Sequence, residues 1–201
     1  MSAARPRGAK AATARGRRRA KPGSRPASKP ALKPALEPAP RRAATQPAGE
    51  RHHWLVKSDP DSYGIADLER DGATLWTGVR NFQARNTLRD EMAVGDPVLV
   101  YHSSADPMAI VGVAEVSGAA RPDETAFDRK DDHYDPKSKR ESPTWFAVEL
   151  RYVTTFARPV TRERLAAEPA LKKMVLLQRG SRLSVQPVTT PEFAAILKLA
   201  R

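Results

Sequence analysis

The sequence breaks in two near residue 50, and that break limits what can fold. Residues 1–50 contain no Phe, Trp or Tyr and consist mainly of Ala, Pro, Arg and Lys. A near-repeat, KPALKPALEPAP, runs from Lys29 to Pro40 with Pro30, Pro34 and Pro38 at a helix-breaking spacing. So little apolar bulk cannot offset the entropy of ordering the chain. The segment is therefore predicted to be a disordered, partly polyproline-like tail. From Arg51 onward, aromatic and β-branched residues appear at once, as in HHWLVKS, so residues 51–201 are predicted to form one domain.

Charge follows the same division. The 201-residue chain carries a net +12, and the tail alone holds thirteen Lys and Arg against two acids, Glu37 and Glu50. The domain is left nearly neutral at +1. Basic tails neutralise phosphates without reading sequence, and their affinity falls as salt rises. Arg17, Arg18, Arg19 and Lys21, in GRRRAKPGSRP, are the expected phosphate contacts. A solvated extension or a targeting peptide would share this composition. There are no cysteines, which rules out disulfides, thiolate metal sites and a Cys nucleophile and suits a reducing cytoplasm. No apolar run approaches the roughly 18 residues of a membrane helix, and no apolar segment follows the basic N-terminus as in a secretory signal. A cytoplasmic location is expected, on the nucleoid if the host is bacterial.

The domain shows short strands that mostly follow one another. HHWLVKS suggests a first strand, ended by the turn SDPDSYG. Ile65 to Arg70 can form a short helix, and Arg80 to Met92 a longer one. PVLVYHS (97–103) and MAIVGVAEV (108–116) are apolar strands, and TAFDRKDDHYDPKSKRES (125–142) is a long charged loop. In WFAVELRYV (145–153), Phe146, Val148, Leu150 and Tyr152 face one way and Glu149 and Arg151 the other. Thr161 can cap a helix through Ala167, and Thr190, Pro191 and Glu192 suit a helix start with Phe193, Ile196 and Leu197 inward. This order predicts an α+β fold: a small, partly open mixed β-barrel with flanking helices.

One segment does not suit a core: WTGVRNFQARN, residues 76–86. With Arg80–Met92 taken as helix, Ala84, Leu88 and Met92 form an apolar stripe, and Asn81 falls within it. An inward amide costs about 1–3 kcal/mol if its hydrogen bonds are unmade. The backbone of a neighbouring loop could satisfy it. So could a nucleobase, since amides and guanidinium groups read base edges and an aromatic ring stacks on the base face. Arg80, Gln83 and Trp76 lie close by in sequence. Strand ends could add Lys57 and Ser58, Tyr101 and His102, and Ser184 and Gln186 of RLSVQPV. No HExxH or GxSxG motif and no phosphate-cradling glycine loop is present, and His52, His53, His102 and His133 lack the spacing of a metal site. Neither a catalytic residue nor a metal nor a cofactor is expected.

WLVKSDP, LWTGVRNFQARN, VYHSS, IVGVAEV, FDRKDDHYDPKS, PTWFAVELRYV and GSRLSVQPVTTPEF together resemble, in this order, the EVE domain family. The resemblance spans about residues 52–199 and leaves out the tail. It implies a PUA-like fold, related to the YTH and SRA domains, with a pocket that takes a modified base of DNA, or of RNA. It further implies Lys57, Ser58, Trp76, Arg80, Asn81, Gln83, Ser184 and Gln186 as base-binding residues, with Tyr101 and His102 as weaker candidates. The chain departs from the family pattern at Asp59 (often Glu), Thr77 (often Asp) and Phe82 (often Tyr). The expectation is thus a non-catalytic reader of a modified base, monomeric, partnered by nucleic acid and away from membranes. An RNA-binding module and a small-molecule scaffold are the alternatives.

Overall fold

A computed structural model describes residues 51–201. The disorder expected for the tail and the phosphate contacts expected of Arg17, Arg18, Arg19 and Lys21 lie outside the described residues.

The first strand, β1 (His53–Ser58), ends where Asp59 caps a single turn, α1 (Pro60–Tyr63), through its carboxylate and the Asp61 N–H. Helix α2 (Ile65–Asp71) follows, burying Ile65 and Leu68. Gly72 then turns the chain into β2 (Ala73–Trp76), a strand not anticipated from the sequence. Helix α3 (Phe82–Asn86) widens into a π-type turn over Thr87–Glu91, closed by the Met92 N–H on the Thr87 carbonyl at 3.0 Å. The rest is β3 (Pro97–His102), β4 (Ala109–Pro122), β5 (Phe146–Thr161), α4 (Arg162–Ala167), β6 (Val185–Val188) and α5 (Thr190–Leu199).

The six strands form one mixed sheet in the order β2-β5-β4-β3-β1-β6, and only β1 and β3 run parallel. The fold is α+β, with a curved, partly open sheet and helices packed on it. Bulges supply the curvature. Register shifts in the β4–β5 ladder occur at four places, one between Ile110 and Gly112. A Cβ at Gly112 would collide with the Thr154 carbonyl oxygen, so glycine allows this close approach. Both strands therefore run well past the lengths expected from their apolar stretches, with β5 continuing through TTFARPVT as far as Thr161. Pro187 lies inside β6 rather than ending it; β6 is an edge strand, where a missing N–H breaks no ladder.

The sheet separates two apolar clusters. One holds Trp54, Val56, Val98, Val100, Val148 and Leu150 with Ala84, Leu88 and Met92 of the α3 segment. The other holds Leu55, Leu99, Tyr101, Ile110 and Val160 with Leu165, Leu176 and Ile196. Successive residues of β1 and β3 thus alternate between the clusters, as the pleat requires. Helix α5 is capped one residue earlier than expected: Thr189 and Glu192 form the reciprocal box.

Candidate nucleic-acid interface

The pleat decides which candidates can meet. Ser58 and His102 are register partners on the face of the Trp54 cluster, while their neighbours Lys57 and Tyr101 pair on the opposite face. Gln186, opposite Leu55, lies on the Lys57 side. Trp76, opposite Val148, packs on the Ser58 side. The ten candidates therefore form two groups on opposite faces of the sheet.

On the first face, Trp76 is half-buried and meets the Tyr63 ring edge-on, with centroids 6.5 Å apart. Burial pushes the Tyr63 hydroxyl up to about 12, so it stays protonated and bonds Asp71 at 3.1 Å. The Ser58 hydroxyl is buried without a hydrogen-bond partner, an uncommon state for a buried polar atom. His102 accepts the Ile65 N–H on Nε2 at 3.1 Å, which requires a neutral ring protonated on Nδ1. Burial lowers its pKa, against an opposing pull from Asp59.

Asn81 is not an inward amide. Its backbone is extended (φ −126, ψ 128), so the helix starts at Phe82 and the projected stripe does not reach residue 81. Its side chain is exposed and caps α3, accepting the Ala84 N–H at 3.0 Å. Ala84, Leu88 and Met92 do form the buried stripe. Gln83 is exposed on the first turn.

Arg80 is not a free guanidinium. Its Nε donates to the His133 carbonyl (2.8 Å), Nη1 to Val79 O and to Asp123 (2.8 Å), and Nη2 to Thr125 Oγ1 and again to His133 O. All five N–H donors are thus engaged within the chain. Asp123 is fully buried and also takes the Gly78 N–H at 2.9 Å. Burial alone would raise its pKa, but Arg80, Thr125 and Gly78 together hold it below the ordinary value. Gly78 has φ +82, and a Cβ there would lie 2.8 Å from the His133 ring. Trp145 Nε1 bonds Asp135 at 2.7 Å, and its ring carries Phe82 on one side and the Arg80 guanidinium on another. These links fasten the charged 125–142 loop beside the turn that follows Trp76. Asp123, Trp145 and Tyr63 were not singled out in the sequence, because nothing local marks partners so far apart in the chain. Phe82 remains 59% exposed beside Arg85, whose guanidinium lies 5.1 Å from its ring centre.

On the second face, Lys57 donates to the Ser181 carbonyl at 3.2 Å and lines a cavity of about 480 Å³ with Tyr101 and Arg162. Gln186 is buried behind it; its amide nitrogen holds Ser181 Oγ and the Leu183 carbonyl, while its oxygen has no partner. Ser184 contributes its carbonyl to the Lys57 N–H at 2.8 Å.

A family model described as the EVE domain matches residues 52–199. Human thymocyte nuclear protein 1 is 38% identical over 166 residues, spanning 73% of this chain and 73% of that protein. The crystal structure of a Pseudomonas putida protein superposes with a TM-score of 0.72 at 44% identity, over 74% of this chain and 99% of the other. The crystal structure of human THYN1 protein in complex with 5-methylcytosine-containing DNA superposes with a TM-score of 0.69 at 36% identity, over 75% of this chain and 98% of that one. With the family model covering nearly the whole described region, the chain belongs to the EVE domain family.

Proposed function

We propose that this protein is a non-catalytic reader of modified DNA, taking an altered cytosine or other base out of the stack onto the Trp76 face of the sheet. The observation that carries this reading is the likeness to human THYN1 bound to 5-methylcytosine DNA, which extends over nearly all of that chain. Two features of the site support it. The buried Ser58 hydroxyl lacks a partner on the face where Trp76 packs, and a base edge would supply one. Asn81, with only its carbonyl oxygen used as a cap, keeps its amide N–H groups free of described partners.

Extruding a base costs a few kcal/mol, and stacking on an aromatic ring returns about 1–3 kcal/mol. A methyl group adds only about 1 kcal/mol on burial, so discrimination by methyl alone is modest. Trp76 would supply the stacking surface, and Ser58 and Asn81 the hydrogen bonds to the base edge. Arg80 would act indirectly, by holding the loop that borders the site. The basic tail would raise the local concentration on phosphate without selecting sequence.

The test is titration of the full chain with matched oligonucleotides, DNA and RNA, with and without 5-methylcytosine. Tighter binding of methylated DNA that is lost in Trp76→Ala is the expected result. Equal affinity for all of them would overturn the reading.

A further inference from the structure

The cavity on the Lys57 face is not part of the proposed base site, and its chemistry is different. Four cationic side chains, Lys57, Arg162, Arg179 and Arg182, line it, and no carboxylate does. None of the four forms a salt bridge among the described residues. Converging cations without a counter-ion repel one another, and an anion relieves that repulsion. The Lys57 pKa is lowered, first by burial and then by Arg162. The cavity is also built rather than incidental. Arg162 donates to the Leu176 carbonyl at 3.0 Å, and Lys57 to that of Ser181. Gln186, from beneath, holds Ser181 and Leu183. Tyr101 and Leu176 form an apolar wall. About 480 Å³ is more than a bare phosphate fills and matches the size of small-ligand sites.

We propose that this cavity binds a phosphate ester together with its attached sugar, the phosphate meeting the four cations and the sugar the Tyr101–Leu176 wall. It opens at the same end of β1 and β3 as Ser58 and His102: the Ser103 N–H, from a residue lining it, bonds the Ser58 carbonyl at 2.8 Å. A strand whose extruded base occupies one face of the sheet can therefore seat a neighbouring phosphate on the other. This placement rests on the reading given under Proposed function; the anion site does not.

Arg179 and Arg182 are exposed, so Arg179→Gln with Arg182→Gln leaves the core intact; Lys57→Gln is the second variant. In the full chain, the double variant should bind methylated and plain oligonucleotides about tenfold more weakly and alike, as removal of charge-assisted hydrogen bonds implies. The slope of log K against log salt should shrink by about one for each phosphate no longer neutralised. Lys57→Gln should act in the same direction. 5-Methyl-dCMP and inorganic pyrophosphate, assayed by thermal shift, separate the sources. Stabilisation of the wild type by the mononucleotide, lost in the variants, assigns the site to free nucleotides. A change confined to oligonucleotides assigns it to the strand's own backbone. Wild-type affinity, slope and thermal shift in both variants would overturn the proposal. If methylated and plain DNA bind equally while the variants still lose affinity, the base-reading role fails and the phosphate site stands.

Discussion

At the scale of single residues, Asn81 shows how one side chain can serve a helix and a ligand together. Asn81→Ala removes the cap and should cost about 1 kcal/mol of stability in addition to any binding loss. Asn81→Asp keeps the capping oxygen but removes the amide N–H groups. It should preserve the urea midpoint of the wild type while lowering preference for the modified base; an unchanged preference would remove Asn81 from the site. Asp123 is the complementary case, a buried acid held by Arg80 at 2.8 Å. Asp123→Ala should cost about 3–5 kcal/mol, since it strands a guanidinium. With the folded pKa below the unfolded value of about 3.9, its contribution is complete above that value. It disappears as pH falls through the folded pKa. An acid denaturation curve in which Asp123→Asn loses that dependence would check the sign. The Asn81 cap was open to a reader of the sequence, since Asn is a preferred N-cap and Arg80 preceding it need not be helical. Asp123 was not: its partners Gly78 and Arg80 lie more than forty residues away, and only the fold brings them together.

At the scale of elements, period-two alternation explains both what was legible and what was not. It placed Val148, Leu150 and Tyr152 of β5 on one face, as observed. Applied to Lys57–Ser58 and Tyr101–His102, the same rule requires each pair to point apart, and it dissolves the single pocket expected from strand ends. Strand β2 was missed because four residues carry little pattern and its ladder is with β5, far along the chain. The long β4 and β5 depend on bulges that composition does not announce. Gly112→Ala should therefore be costly, about 3 kcal/mol as in overpacked cores, read as a lower urea midpoint. The junction of β3 with α2 carries a pH signature. His102 must be neutral to accept the Ile65 N–H, and burial lowers the pKa of both His102 and His53. Their stabilisation is complete above the ordinary value of about 6.5 and declines as pH falls through the lower folded values. Unfolding midpoints at pH 7.5 and 5.5 should differ, and His102→Gln should narrow the difference.

At the scale of the whole molecule, the domain is nearly neutral and the tail holds almost all the net charge. Removing residues 1–50 should weaken binding to every nucleic acid by a similar factor and flatten the salt dependence, leaving the methylated-to-plain ratio intact. A ratio that falls with the tail would place part of the reading there. The sheet edges bear on what happens when a charged tail gathers many copies along one polymer. Crowded proteins with bare strand edges can stack into fibrils. Here β6 carries Pro187, which lacks the donor another chain would need, and β2 is only four residues long. Copies lined up side by side are thus given little backbone on which to template one another, and dense coating of a nucleic acid can stay reversible.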